Sequence, residues 1–372
     1  MGCSFKGGTM SNVITLAAPK WRAAYLARTS SATERLANTF SNERRGINDV
    51  FWLKENAEFL NVVHTSLPET SDVAPAYEAF YETVESRIEF FPQYYRFILS
   101  ICLDFEDLSG VSEKGERLVD WARQKGLAEA ELSDLQRLEA LRLFARRRRV
   151  RQKRNAALLD RVRRFMALSA QFALPNKKIA YELTHAIFYL SDYGRVDPDL
   201  DRGARKSLEF LGLWAFVEQN ADLLSEVCVA MRFARMRPPE IWRQWLRRHT
   251  DRFSVEPNSM GVAADDYHEF LMCQWARLIV EGAEGIDRLP PMGGATTFKR
   301  PKPMCAPLRE LSETIYNMAS ARTANWRDMR PAIVSKVSDG AKDKLALAEA
   351  SSPRFGEFFS HFARVDLRWE WA

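Results

Sequence analysis

No stretch of this sequence stays apolar for the roughly 18 residues that a membrane span needs. The N-terminus also lacks a basic start followed by an apolar run, so no secretory leader is read there. A cytoplasmic protein with no membrane partner is the expectation. The opening MGCS has Lys6 where a myristoylation motif wants Ser or Thr. A second start-like segment at Met10 reads residues 1–9 as an upstream extension. The five cysteines (Cys3, Cys102, Cys228, Cys273, Cys305) are odd in number and none is spaced CxxC. Three sit in apolar helical patterns, as reduced core-filling thiols do. Also missing are a glycine-rich phosphate loop, HExxH and GxSxG, which excludes nucleotide hydrolases, zincins and α/β-hydrolases. The acid pair Asp265-Asp266 runs on into Tyr267-His268-Glu269, not into the DDxxD of prenyl chemistry. Period-two alternation with hairpin turns is absent, and with it any strand series.

What is present is helical. The 372 residues are 46% apolar and 28% charged, with 23 Phe and 10 Trp, enough for a large aromatic-rich core. Val50–Val63, Ala74–Glu89, the run from Pro92, Glu113–Lys125 and Leu132–Phe144 all read as helices. Gly126 is a natural stop, and Ser133 with Gln136 has capping-box spacing. Further helices follow near 156–172, 202–218, 220–233, 240–248 and 267–280. Short connections make successive helices antiparallel neighbours. The expected fold is all-α, an array of αα-hairpins of about ten helices, either toroid- or solenoid-like or an irregular orthogonal bundle. Residues 1–45 read as a mobile tail and 46–288 as the helical core domain. Residues 289–372 read as a Pro/Gly-rich linker and a C-terminal helical strap that docks on the body or on a second subunit.

The stretch Leu174–Gly194, LPNKKIAYELTHAIFYLSDYG, does not have an ordinary surface pattern. At 100° per residue, Ile179, Leu183, Ala186, Ile187 and Leu190 form a core stripe. The opposite face carries Tyr181, His185, Phe188, Tyr189 and Asp192 in place of Lys, Glu and Arg. Together with DVFWLKENAEFLN at Asp49 and FFPQYYRF at Phe90, it resembles an uncharacterised family of bacterial helical proteins, over roughly residues 49–235. The resemblance implies no activity, cofactor or partner. It does support treating His185 and Asp192 as a site.

Three functional readings stand side by side. In the first, Tyr181, His185, Tyr189 and Asp192 line a pocket for a small molecule or peptide, with His185 and Asp192 as candidate catalytic groups. Its counterpart is a buried histidine satisfied by a neighbouring tyrosine. In the second, the basic run binds nucleic acid or an acidic protein. Between Leu141 and Phe165 there are eleven Arg or Lys and one acid, Asp160, a net +10 in a chain whose total is +5. The candidates are Arg146, Arg147, Arg148, Arg149, Arg151, Lys153 and Arg154. The counterpart is a solvated helix end whose substitution costs little stability. In the third, Glu182 with His185 and Asp265 with His268, each at i and i+3, supply a carboxylate/histidine metal site. Glu209, Glu218 or Glu226 would then add further carboxylates.

Overall fold

The computed structural model describes residues 32–68, 72–147, 155–258, 264–287 and 295–365. Among them are 17 α-helices, more than the ten expected. In chain order they are α1 (32–43, its last turn Thr39–Glu43 widened to a π-helix), α2 (Val50–Ser66), α3 (Glu78–Phe90), α4 (Tyr95–Ser109), α5 (Gly115–Gln124), α6 (Leu127–Ala130), α7 (Asp134–Ala145), α8 (Ala156–Ala167) and α9 (Lys177–Leu190). Then come α10 (Arg202–Glu218), α11 (Ala221–Phe233), α12 (Glu240–Thr250), α13 (Tyr267–Glu281), α14 (Pro307–Asn317), α15 (Trp326–Val334), α16 (Asp339–Ser351) and α17 (Phe355–Phe362).

The helices start where the sequence offers a cap. Asp49, Asn176, Asp201 and Asn220 each accept a backbone N–H from the first turn of α2, α9, α10 and α11. The capping box expected at Ser133 does not form, because its side chain makes no cap bond. The all-α class holds with one addition. The strands β1 (Ser254–Pro257) and β2 (Thr296–Lys299) pair antiparallel, with Val255 opposite Phe298. Phe298 is fully buried, stacked on Phe40 and tilted against Phe270. It seats the ribbon in the core, and its backbone N–H is held by Asp265.

Six helices close a ring. α2 packs on α4, α4 on α7, α7 on α9, α9 on α11, α11 on α13, and α13 returns to α2. α10, which is not part of the ring, packs against α8, α11 and the 3-10 turn Ser169–Ala173, and also against α14, α16 and α17. The C-terminal helices are tied down by Lys206–Glu357 at 2.7 Å, Arg354–Glu209 at 3.1 Å and Trp242 Nε1 donating to Ser351 at 3.0 Å. One hydrophobic core runs from Leu36 to Ala363. The terminal LRWEWA lies outside the described residues.

Two expectations need correcting here. Residues 32–44 are not a tail. They are helical in the main, with Leu36, Ala37 and Phe40 fully buried. Buried Thr33, Thr39 and Ser41 break up the apolar periodicity that would have revealed the helix. Arg44 anchors the segment. It bonds Glu55, Asp265 and the Thr296 carbonyl, and its guanidinium lies between the rings of Phe40, Tyr267 and Phe298.

The head of the basic run is not a solvated helix end. Arg146 forms ion pairs with Asp104 and Asp107, each at 2.7 Å, and Arg147 bonds Glu106 and Asp107. The acids of α4 face the end of α7 and draw both guanidinium groups inward. Arg148, Arg149, Arg151, Lys153 and Arg154 lie outside the described residues.

Candidate metal centre

Side chains of α2, α9, α11 and α13 bring imidazoles and carboxylates together. Asp222 and Glu226, four residues apart on α11, project side by side. His268 comes from the first turn of α13. Its Nε2 is 3.3 Å from Asp222 Oδ1 and 3.9 Å from Glu226 Oε1. His185 of α9 approaches from the other side, its Nε2 3.7 Å from the same Glu226 oxygen. Asp222, Glu226 and His268 can each offer a ligand atom within 4.8 Å of the others.

Each of these three side chains is held by its other polar atom. Tyr181 donates its hydroxyl to Asp222 Oδ2 at 2.5 Å. Thr184 donates to Glu226 Oε2 at 2.5 Å. Glu58 of α2 lies 3.1 Å from His268 Nδ1, and Tyr267 donates to the same Glu58 oxygen at 3.0 Å. That leaves Asp222 Oδ1, Glu226 Oε1 and His268 Nε2 facing one another. Asp222 Oδ1 is buried without a hydrogen-bond partner. Glu226 is 1% exposed, and both histidines are beyond hydrogen-bond reach of its Oε1.

The electrostatics follow from this crowding. Burial pushes the Asp222 carboxyl up to about 6, with neighbouring Glu226 adding to the shift and His268 opposing it. Burial works against charge on His268, but Glu58 and Asp222 overcome it and raise the imidazole to about 10. His185 is raised above its ordinary value because Glu226 outweighs the effect of burial. Glu58 is lowered despite burial, chiefly by His268. A cation is what this acid-rich cluster favours, either a proton on His268 or an ion among the three facing atoms.

Of the residues singled out from sequence, Tyr181, His185 and His268 meet at this cluster, as does Glu226. Tyr189 packs beside His185, ring centroids 5.9 Å apart, one turn farther along α9. Asp192 is not on the helix. The chain reverses through Asp192 and Tyr193, at φ 45° and 53°, so the expected helical spacing from His185 does not apply. Its carboxylate bonds Arg142 at 3.0 Å. Glu182 does not join the cluster, and Asp265 is taken by Arg44 and the Phe298 N–H. Glu209 and Glu218 face Arg354 and Lys177. The i, i+3 pairs therefore supplied the two histidines, while the acids come from α11 and α2. Sequence reasoning missed Glu58, Thr184 and Asp222. The Asp-x-x-x-Glu spacing on a helix otherwise apolar at every position from Leu223 to Ala230 except Ser225 was the signal available for Asp222.

The molecule is thus an all-α protein with a mixed histidine/carboxylate cluster contributed by four helices of the ring. It belongs to the family described as Domain of unknown function (DUF6902), which matches residues 10–365. No curated protein and no solved structure matches the chain.

Proposed function

We propose that this protein binds a divalent metal ion through Asp222, Glu226 and His268, with His185 beside the ion. The carrying observation is the orientation of the three facing atoms. Each ligand's other polar atom is engaged by Tyr181, Thr184 or Glu58, the outer-shell arrangement that aims ligands at a metal. Ligand atoms around a zinc-like ion at roughly 2.0–2.2 Å sit about 3–3.5 Å from one another. The 3.3 Å separation already lies in this range, while the 3.9 Å separation and the third, within 4.8 Å, require the ligands to draw together. Carboxylate and imidazole donors without thiolate suit Mn²⁺, Fe²⁺ or Zn²⁺. Three protein ligands leave coordination positions open, as catalytic rather than purely structural sites do. The side chains of His185 and His268 are 38% and 30% exposed, so those positions face solvent-reachable space where a small molecule can join.

The test is a calorimetric titration of chelator-treated protein with each of the three ions, Fe²⁺ under argon, alongside elemental analysis of untreated protein. One equivalent per chain is expected, lost in the Asp222→Asn/Glu226→Gln double variant. Absence of stoichiometric binding in the parent, or full retention in the variant, would refute the site.

A further inference from the structure

His64 stands near the C-terminal end of α2, away from the cluster just described, and is 6% exposed. Asp104 Oδ1 lies 3.2 Å from its Nδ1, and Asp107 Oδ2 lies 3.1 Å from its Nε2. Arg195 Nη2, from the turn after α9, lies 3.0 Å from that same Nε2. The two contacts on Nε2 make opposite demands. A carboxylate only accepts, so Asp107 needs a proton there. A guanidinium only donates, so Arg195 needs the lone pair. One nitrogen cannot meet both. A neutral ring, with its proton on Nδ1 toward Asp104, keeps Arg195. An imidazolium keeps Asp104 and Asp107 and repels Arg195.

The other charges around the ring leave both states accessible. From α4 come Asp104 and Asp107. From α7 comes Arg146, paired with both of them, while Arg147 also pairs with Asp107. Asp107 therefore keeps partners when His64 is neutral. From the turn come Arg195 and Asp192, the latter also held by Arg142. On α13, the uncharged Trp275 donates to Thr65, the residue next to His64. Burial pulls the His64 pKa down, and the two carboxylates overcome this and leave it raised.

Arg195 matters because of where it sits. Asp192, Tyr193 and Gly194 are three successive residues in the left-handed region, at φ 45°, 53° and 85°. Only the glycine adopts it freely. The turn is closed by Tyr193 N–H on Phe188 O at 2.8 Å and Val196 N–H on Ser191 O at 2.9 Å. The Tyr193 ring packs on Phe188 and Trp275 and under the Arg142 guanidinium, 4.5 Å from the ring centre. The turn thus braces the face of α9 that carries His185.

We propose that His64 is a proton-operated latch on the turn 191–196: neutral, it holds Arg195 and keeps the turn closed; protonated, it releases Arg195 and loosens the foot of α9. The test is hydrogen exchange of the full chain, chelator-treated, read by mass spectrometry on peptides spanning 191–197 and corrected for intrinsic rates. The scan runs from about pH 5 to 9, with His64 titration followed separately by imidazole NMR. Protection is expected to rise about fivefold in a single step that coincides with deprotonation of His64. Arg195 is 44% exposed, so Arg195→Ala should fold. In that variant His64 still titrates but the step disappears. A parent protein without the step, or an Arg195→Ala variant that retains it, overturns the proposal.

Discussion

Thr184 and Glu226 meet at 2.5 Å, hydroxyl to carboxylate, and the next residue of α9, His185, faces the other oxygen of the same carboxylate. Of two adjacent residues on one helix, Thr184 therefore holds one end of the acid by a hydrogen bond while His185 faces the other end at 3.7 Å. If Glu226 is a ligand, Thr184 sets its angle. Thr184→Val keeps the shape and removes the donor. Its metal affinity should fall about 10- to 100-fold in the titration above, as for other outer-shell losses. Unchanged affinity would mean that Glu226 is not a ligand.

The paired losses at His185 and Leu183 separate site from packing. Leu183 is fully buried, and Leu183→Ala should cost about 2–5 kcal/mol in denaturant unfolding. His185 has more than a third of its side chain exposed and makes no close hydrogen bond to Glu226. His185→Ala in the metal-free protein should therefore cost well under half as much. Comparable losses would make His185 a core residue.

Arg146 is an arginine of the basic run whose removal should be felt. Arg146→Ser leaves Asp104, which is 0% exposed, without its closest cation. About 3–5 kcal/mol of stability should be lost. Arg309→Ser, at a side chain 78% exposed, is the control and should stay within about 0.5 kcal/mol. Similar unfolding midpoints for the two would contradict the buried pairing.

Asp104 also gives a pH dependence. Burial alone would raise its pKa, but Arg146 and His64 hold it at about 2, below the ordinary 3.8. A depressed carboxylate contributes stability above its unfolded pKa and loses it as pH falls through the folded one. About 2 kcal/mol should therefore disappear between about pH 4.5 and 2. Urea unfolding of the parent should show a steeper loss over that window than Asp104→Asn does. Parallel curves would show that Asp104 is not depressed.

Gly212 on α10 reports on the packing outside the ring. A Cβ there would collide with the Trp242 indole and lie 3.2 Å from Val227. Trp242 cannot easily yield, because its Nε1 is tied to Ser351. Gly212→Ala should cost about 1–3 kcal/mol in thermal or denaturant unfolding, despite alanine's better helix propensity. At Gly356, where nothing lies within 4 Å, the same change should be neutral or mildly stabilising. A neutral Gly212→Ala would place Trp242 elsewhere.

The helices were legible because their caps and apolar stripes are local. Asn176, Asp201 and Asn220 announce their helices within three residues. α1 was not legible, because what makes it a helix lies far away: Arg44 is fixed by Asp265 and Thr296, more than 200 positions on. The site divided in the same way. Tyr181, His185 and His268 stood out as polar residues in apolar helical contexts. Glu58 and Asp222 looked like ordinary surface acids, and only the closure of α13 on α2 and α11 gives them a histidine to face. Asp192 was misplaced because helical spacing was extended two residues past Leu190, where the backbone had already turned left-handed.

The ring also sets an order of events during synthesis. Glu58 and His268 are 210 residues apart in sequence yet touch in the folded chain. At roughly 5–20 residues per second, α2 leaves the ribosome some 10–40 s before the helix that closes against it. During that interval the carboxylate of Glu58 and the apolar flank of α2 that α13 will cover face water or a chaperone. The three proposed metal ligands come together only when α13 arrives. A nascent chain halted before residue 267 should therefore carry a complete α9 and α11 and still be unable to hold an ion.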